Sequence, residues 1–180
     1  MMESAPLTDA LLVFAILTTA GLVKGVAGFG LPTVSLSLLA LTRPLPEAMA
    51  LILLPTLATN VVQAFVGPAL RRVTLRLWSF LLVAAIACWF GTGILARSDA
   101  RTLTGILGAV LVVASAVSLA APRLPAPPPR HEAWLSPAMG GVSGLLAGMT
   151  GSFLVPAAPG FQAIRLTREE FVQGVGIGVV

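Results

Sequence analysis

The hydrophobic pattern of the chain contains three uninterrupted apolar runs, each long enough to cross a bilayer. They extend over Glu47–Val66, Thr74–Ala96 and Ala100–Ala121. A hydrocarbon core about 30 Å thick is crossed by a helix of about 20 apolar residues. None of the runs alternates between apolar and polar positions, as the strand of a membrane barrel would. The pattern therefore predicts three transmembrane helices.

A fourth apolar segment, Leu7–Leu41, is too long for one helical crossing and contains helix-breaking residues near its middle. These are Gly21, Gly25, Gly28, Gly30 and Pro32. In a helix interior, glycine costs about 1 kcal/mol and proline about 3 kcal/mol relative to alanine. We therefore expect two short helices that meet around Gly25–Gly30. Irregular backbone at membrane depth survives only where protein or a water-filled cavity surrounds it, so the break should line a cavity.

Three polar segments separate the apolar ones. Arg43–Glu47 contains two prolines and a carboxylate, which is typical of a turn followed by a helix start. Ser98 and Asp99 are predicted to cap the helix that follows them. Pro122–Pro129 contains five prolines and is predicted to be a semi-rigid linker, with a ligand for an SH3-type domain as the alternative.

Two sets of three glycines repeat at an offset of 123 residues. They are Gly21, Gly25 and Gly28, and Gly144, Gly148 and Gly151. The same offset relates Glu47 to Glu170. The spacing indicates a duplication, with a first membrane repeat over residues 1–121, a linker over 122–134 and the start of a second repeat over 135–180. A second repeat of equal length would extend to about residue 257, about 77 residues further than the sequence in hand.

The number of crossings in the first repeat decides how the two repeats are oriented. If Leu7–Leu41 crosses twice or folds back as a re-entrant hairpin, the repeat has five or three crossings, and an odd number inverts the second copy. If the segment crosses once, the copies are parallel. The first ten residues contain Glu3 and Asp9 but no Lys or Arg, which favours the odd number. They also lack the basic region of a signal peptide, so the first apolar segment should be retained.

Composition and charge agree with a membrane protein. The chain is 57% hydrophobic and 10% charged, and its mean hydropathy of +0.97 leaves too little polar surface for a soluble globule. The formal charge of +4 is scattered between apolar runs and forms no basic face, which excludes nucleic acid as a partner. By the positive-inside rule, the end with more arginines is cytoplasmic. It should hold Arg71, Arg72, Arg76, Arg123, Arg130, Arg165 and Arg168, and the opposite end Arg43, Arg97 and Arg101.

The first glycine-rich motif has two interpretations. Gly25–Gly30 follows the order GxxGxG, whereas a dinucleotide-binding loop follows GxGxxG, so we reject a nucleotide site. Glycines four residues apart also form helix-packing faces. Because packing alone does not require Gly28, Gly30 and Pro32, the pattern favours a binding site at a broken helix over a packing face.

Lys24 is the single lysine of the chain and lies beside this break. A charge at membrane depth costs at least about 2.5–3.5 kcal/mol, so it requires a compensating partner. One interpretation is a counter-charge for an anion, strengthened by the free amides at the amino-terminal ends of half-helices. The other is a lysine whose ammonium reaches the membrane interface.

Other polar residues lie within apolar segments. Thr56, Asn60 and Gln63 form a stripe along one face of a predicted helix, where they should bind either a ligand in the cavity or a neighbouring helix. In the second break, Thr150 and Ser152 flank a glycine and are candidate hydroxyl donors. Gln173 is expected to project from the span that follows.

No pattern typical of an enzyme is present. Glu47 and Glu170 are candidates for proton exchange, but each lies in a first helical turn, where the helix dipole favours a carboxylate. Cys88 is the single cysteine, which excludes an intramolecular disulfide and a cysteine-based metal site. The sequence also lacks metal-ligand spacing, a nucleophile elbow and a phosphate loop. We expect no catalytic residue, metal or cofactor.

Three motifs occur in order along the chain. They are Gly21-Leu-Val-Lys-Gly-Val-Ala-Gly-Phe-Gly-Leu-Pro32, Pro55-Thr-Leu-Ala-Thr-Asn-Val-Val-Gln63 and Gly144-Leu-Leu-Ala-Gly-Met-Thr-Gly151. Together they resemble the sulfite exporter TauE/SafE family of bacterial inner-membrane permeases. The resemblance implies transport of sulfite, organosulfonates or related small anions. It matches Gly25, Gly28, Gly30 and Pro32 to the first broken motif, Asn60 to the polar position on the next helix, and Gly148 and Gly151 to the second motif.

Two features depart from this pattern. The second motif continues Gly151-Ser-Phe-Leu-Val-Pro156 and lacks a counterpart of Gly30, and the counterpart of Asn60 would be residue 183. An inactive fragment of a permease is therefore one alternative. A membrane scaffold or assembly subunit, whose glycines serve only helix packing, is the other.

The predicted fold is all-α: a polytopic membrane helix bundle with broken or re-entrant helices and inverted internal repeats. The leading hypothesis is a secondary transporter of a small sulfur-containing anion, multi-pass in the bacterial inner membrane. Its expected partners are the lipid bilayer and the anion, and homo-oligomer formation is left open. The predicted substrate-binding residues are Lys24, Gly25, Gly28, Phe29, Gly30, Pro32, Asn60, Gln63, Gly148, Thr150, Gly151 and Ser152.

Overall fold

The computed structural model of the protein describes residues 4–120, 129–153, 157–158, 160–161 and 164–180. Seven helices are defined in these residues, which contain no strand, and the predicted all-α fold is confirmed. The helices are α1 (Ser4–Ala27), α2 (Leu31–Leu39), α3 (Leu45–Phe65), α4 (Leu70–Leu95), α5 (Ala100–Ala120), α6 (Pro129–Thr150) and α7 (Arg168–Val179).

Three helices in the described part of the chain are long and apolar enough to cross a membrane. They are Leu7–Ala27 within α1, Leu45–Phe65 and Leu70–Leu95. The last two confirm the first two predicted runs, although α4 begins four residues earlier than predicted. The third predicted run forms α5, whose described apolar part is Ala100–Val113.

The predicted interruption of the first apolar segment is present between α1 and α2. Our expectation of two short helices is wrong for the first of them, because α1 is 24 residues long. Gly21 and Gly25 remain inside α1, since a cost of about 1 kcal/mol per glycine does not break a long apolar helix. The chain breaks instead at Gly28 (φ +80°) and Gly30 (φ +103°). Both adopt left-handed backbone, which glycine reaches without steric cost.

A second break follows α6 at the position predicted by the duplication. Gly151, the counterpart of Gly28, has a φ of +72°. Phe153 stands at the position of Gly30 and does not adopt left-handed backbone. Both breaks therefore have a left-handed glycine at the first position, Gly28 or Gly151, whereas only the first break has one at the second position, Gly30.

Contacts near the helix ends show the path of the first repeat. Arg43, just before α3, bonds Asp9 in the first half of α1 at 2.6 Å, whereas Lys24 near the end of α1 bonds Asn60 near the end of α3. Helices α1 and α3 therefore run parallel, and the segment containing α2 returns the chain to the end of the bundle where α1 began. The first repeat therefore has an odd number of crossings, as predicted from the charges.

The second repeat runs in the opposite direction to the first. At the end of α4, Leu95 packs against the cluster that contains Leu45 and Ala48 from the start of α3, so α4 is antiparallel to α3. Successive positions of α6 face successive positions of α4, so these two helices are parallel. The facing pairs are Gly140 with Phe80, Gly144 with Ala84, and Gly148 with Cys88. Helix α6, the predicted counterpart of α1, therefore runs antiparallel to α1, as an inversion of the predicted repeats requires.

The two glycine sets have different roles in packing. A Cβ atom at Gly140, Gly144 or Gly148 would overlap the backbone of α4, so these glycines let the two helices approach closely. A Cβ atom at Gly21 or Gly25 would meet no atom within 4 Å. The packing interpretation therefore holds for the second set and not for the first.

Charged residues lie at the two ends of the bundle. At one end, Arg43 contacts Asp9 at 2.6 Å and Glu47 at 3.2 Å. At the other end, Arg72 contacts Glu170 at 3.6 Å, and Arg76 binds a carboxylate of α6. The predicted separation of arginines between two ends is thus found for these residues, whereas the side that faces the cytoplasm stays a prediction.

The predicted helix starts are confirmed. Glu47 lies in the first turn of α3 after a proline, and Glu170 forms a capping box with Thr167 at the start of α7. The Asp99 carboxylate accepts hydrogen bonds from the N–H and hydroxyl of Thr102, which hold the pKa of Asp99 below its ordinary value. Of the predicted proline linker, residues 122–128 lie outside the described part and Pro129 already begins α6. The division into repeats and linker stays a prediction.

Candidate functional site

A small cavity lies where the first break, α3 and α7 meet. Its volume is about 20 Å³, which is room for about one water molecule. We call it the Lys24 cavity. Its lining residues are Lys24, Phe29, Gly30, Pro32, Thr33, Asn60, Phe153, Val175 and Val179. Both breaks border it, the first through Gly30 and the second through Phe153.

Among the described residues that line this cavity, Lys24 is the only charged one. Its Nζ donates to Oδ1 of Asn60 at 2.8 Å and to Oγ1 of Thr59 at 3.1 Å. The residue is only 9% exposed, and both bonds of its ammonium are made to α3. An ammonium has three donors. The two observed bonds therefore leave one N–H that can face the cavity.

Asn60 holds the lysine in place from α3. It is 1% exposed, and its Nδ2 donates to the carbonyl of Thr56 at 2.8 Å, one turn earlier in the same helix. Its side-chain oxygen is thereby directed at Lys24. Both acceptors of the lysine are neutral oxygens, so its charge has no counter-ion among the described lining residues.

The amino-terminal end of α2 faces the same cavity. Gly30 precedes this helix, and Pro32 and Thr33 in its first turn line the space. The first amides of a helix have no intrahelical acceptor and carry partial positive charge. Pro32 has no N–H, so Leu31 and Thr33 provide the amides of this turn. The local field is therefore positive from two sources, the ammonium and the helix end.

Gln63 supports the first break rather than the cavity. Its Nε2 donates to the carbonyl of Gly28 at 2.9 Å and also to the carbonyl of Val172 in α7. The carbonyl of Val172 lies inside α7, whose own amides already supply donors, whereas the residue four positions after Gly28 is Pro32, which has no N–H to bond the Gly28 carbonyl. Gln63 therefore connects the break to the second repeat.

The second break is arranged differently. Thr150 is fully buried, and its hydroxyl donates to the carbonyl of Leu146 at 2.7 Å within α6. Ser152 is also fully buried, and its hydroxyl has no protein partner among the described residues. Gly151 lines a larger groove instead of the Lys24 cavity, and Gly148 packs against α4.

The structure thus brings together part of the predicted site. Five predicted residues line the Lys24 cavity, namely Lys24, Phe29, Gly30, Pro32 and Asn60. The others lie elsewhere: Gln63 and Gly28 form the bonded break, Gly25 is exposed on α1, and Gly148, Thr150, Gly151 and Ser152 lie around the second break.

Sequence reasoning missed Thr59 and Phe153. Thr59 is a second acceptor for Lys24, and nothing in the spacing distinguishes it from other hydroxyl residues of α3. Phe153 had a detectable signal, because the offset of 123 residues places it at the position of Gly30. The side chain of Gln173, which was expected to project from its helix, accepts a hydrogen bond from the N–H of Ala69 at 3.0 Å through Oε1. Its Nε2 donates to the carbonyl of Ala64 at 2.8 Å. It therefore fastens the turn between α3 and α4.

Among the described residues, no group of three or more His, Cys, Asp or Glu side chains is placed to hold a metal ion. The candidate site therefore consists of an ammonium, neutral oxygens and backbone amides.

A protein-family model described as "Sulfite exporter TauE/SafE" matches residues 13–173, which include both breaks and the polar face of α3. The resemblance seen in the three motifs is thereby confirmed. No curated protein and no solved structure matches the chain at a significant level.

Proposed function

Because the chain belongs to the sulfite exporter TauE/SafE family, we propose that it is a secondary transporter of a small anion and that the anion binds in the Lys24 cavity. The substrate class is sulfite, an organosulfonate or a related sulfur-containing anion. The protein acts as a multi-pass protein of the bacterial inner membrane, with the bilayer and the anion as its partners.

The observation that carries the proposal is the environment of Lys24. Its ammonium is buried and bonded to two neutral oxygens, and none of the described residues that line the cavity is a carboxylate. A buried charge without a counter-ion is costly in a protein interior. A small anion at the free N–H would supply the counter-charge.

The amino-terminal end of α2 supports the same chemistry. Pro32 and Thr33 of its first turn line the cavity in which the ammonium lies, and helix amino termini bind anionic oxygen atoms. In this proposal the anion contacts Lys24 and the first turn of α2, while Asn60 and Thr59 position the ammonium. Asn60 is therefore a positioning residue, because its oxygen would repel an anion and is already occupied by Lys24.

The size of the cavity implies movement during transport. A volume of about 20 Å³ suits one water molecule, whereas sulfite has four heavy atoms. The cavity must therefore widen when the anion enters. Inverted repeats provide a means, because one repeat can rock against the other around a site at their contact. Here the two repeats meet at the cavity through Gly30 and Phe153.

Flux measurements in proteoliposomes test the proposal. We expect Lys24→Gln to lower the initial rate of sulfite flux at least tenfold, because glutamine keeps a hydrogen-bond donor but removes the charge. The matched control is Arg97→Gln, which removes one exposed positive charge in the turn after α4 and should leave the rate within about twofold. Undiminished flux in Lys24→Gln, or equal loss in both variants, contradicts the proposed site.

A scaffold without transport activity is the rival function. The close packing of α4 and α6 would suit it, since Gly144 and Gly148 are explained by packing alone. Packing does not account for left-handed glycines at two breaks or for a buried lysine just before the first of them. Absence of anion flux in the intact protein, with helix packing preserved, is the result expected of a scaffold.

A further inference from the structure

A thin wall separates the Lys24 cavity from a much larger groove. The groove has a volume of about 790 Å³ and runs along α3, α4, α6 and α7, past Thr56, Cys88 and Gly151. Three residues line both spaces: Pro32, Phe153 and Val179. They therefore form the partition between the cavity and the groove.

Phe153 contributes the largest side chain of the partition. The residue is 7% exposed, and its ring meets the ring of Phe80 edge to face, with centroids 5.8 Å apart and planes at 84°. On α7, a Cβ atom at Gly178 would overlap the ring of Phe153. The ring of Phe153 is therefore packed between Gly178 and the ring of Phe80.

The duplication shows that this ring replaces a glycine. Phe153 lies 123 residues after Gly30, a left-handed glycine that borders the cavity with backbone alone. The first repeat therefore leaves space at this position, and the second repeat fills it with a phenyl group. The resulting site is asymmetric, with Lys24 on one side and an apolar ring on the other.

We propose that the ring of Phe153 closes the Lys24 cavity toward the groove and limits the size of the anion that the cavity admits. The first part depends only on the geometry of the partition. The second part rests on the proposed function. Inorganic oxyanions are favoured with the ring in place, and anions with a carbon chain attached to sulfur are admitted once the ring is removed.

Thiol labelling tests the partition without any transport. In a Cys88→Ala background, Val175→Cys places a reporter on α7 that lines the cavity but not the groove and is 3% exposed at present. We expect Phe153→Ala to raise the rate of modification by a membrane-impermeant methanethiosulfonate at least tenfold. Phe29→Ala is the matched control, since it removes an equal ring that borders only the cavity. An unchanged rate in Phe153→Ala, or an equal rise in both variants, overturns the partition.

A second variant covers the case in which Phe153→Ala does not fold. Phe153→Leu keeps most of the volume and should give a smaller rise, between those of the parent and the alanine variant. If only the leucine variant folds, labelling at the parental rate in that variant contradicts the role of the ring.

Flux measurements then test the size limit. In proteoliposomes, Phe153→Ala should raise the ratio of ethanesulfonate to sulfite flux at least tenfold over the parent protein. An unchanged ratio, with sulfite transported normally, overturns the size limit alone. If the parent protein transports neither anion, the proposed function fails and the size limit fails with it, whereas the labelling result still decides the partition.

Discussion

Lys24 and Asn60 form a hydrogen bond of 2.8 Å between α1 and α3, and Asn60 donates in turn to the carbonyl of Thr56 within its own helix. The amide therefore connects a charged side chain to rigid helical backbone. It fixes the position of the ammonium without neutralising it. This separation of position from charge allows the two roles to be tested by different substitutions at one residue.

Asn60→Asp should abolish anion transport while preserving the fold. A carboxylate at this position pairs with Lys24 directly and takes the place of the anion as counter-charge. We expect at least a tenfold loss of sulfite flux and a thermal stability equal to or above that of the parent protein. Asn60→Leu is the comparison, because it removes an acceptor from a buried ammonium and should destabilise the protein by about 1–3 kcal/mol. Full flux in Asn60→Asp would contradict the counter-charge role.

Gln63→Leu should destabilise the contact between the first break and α7. It leaves the carbonyl of Gly28 without its side-chain donor, and an unsatisfied buried group costs about 1–3 kcal/mol; it also removes the bond that connects Gln63 to the Val172 carbonyl in α7. The change in stability is measured as a shift in the thermal unfolding midpoint, which is monitored by size-exclusion chromatography. The control is Thr19→Ala, which removes an exposed hydroxyl bonded within α1 and should alter stability by less than about 0.5 kcal/mol. Equal effects of the two substitutions would exclude a bridging role for Gln63.

Alanine at the left-handed glycines should be far more costly than alanine at the helical ones. At Gly28 and Gly151, left-handed backbone costs alanine about 1–2 kcal/mol. A Cβ atom would also lie 2.6 Å from Val172 and 2.9 Å from Leu36, respectively. Gly21→Ala meets no neighbour within 4 Å and should stabilise α1 by up to about 1 kcal/mol. We expect the unfolding temperature to fall in Gly28→Ala and Gly151→Ala and to rise in Gly21→Ala. Equal stability of all three variants would contradict the positions of the breaks.

Enlarging Gly144 should separate α4 from α6. A Cβ atom at this position overlaps the backbone of Ala84, which cannot move without displacing the helix. We expect Gly144→Val to destabilise the protein by at least about 1–3 kcal/mol. Gly141→Val is the control on the neighbouring face, where a Cβ atom would lie 3.5 Å from a side-chain methyl of Val83. Parental thermal stability in Gly144→Val would show that α4 and α6 are not in backbone contact.

Local rules predicted the crossings and the breaks because their causes are local. A long apolar run determines a transmembrane helix, and glycine permits left-handed backbone wherever it stands. The same rules could not locate the end of α1, since Gly25 and Gly28 differ only in what surrounds them. Gly28 carries a carbonyl that Gln63 can reach, 35 residues away.

The roles of the two glycine sets depend on tertiary contacts that spacing does not reveal. Gly144 and Gly148 face a helix that contributes Ala84 and Gly91, so backbones approach there, whereas Gly21 and Gly25 face no neighbour in the described structure. The cavity likewise combines residues far apart in the chain. Lys24 was identified because a charge in an apolar segment is conspicuous, but the apolar wall at Phe153 resembles any other core residue.

Binding of sulfite to the purified protein tests the central claim most directly. Thermal unfolding is followed while sulfite is increased at constant ionic strength, with chloride as the balancing anion. A ligand that binds only the folded state stabilises it by about 2.7 kcal/mol at a concentration 100 times its Kd. The buried ammonium of Lys24 predicts a saturable rise in Tm for the parent protein and for Arg97→Gln, and no rise for Lys24→Gln. An equal rise in Lys24→Gln, or none in the parent protein, would contradict an anion site at this lysine.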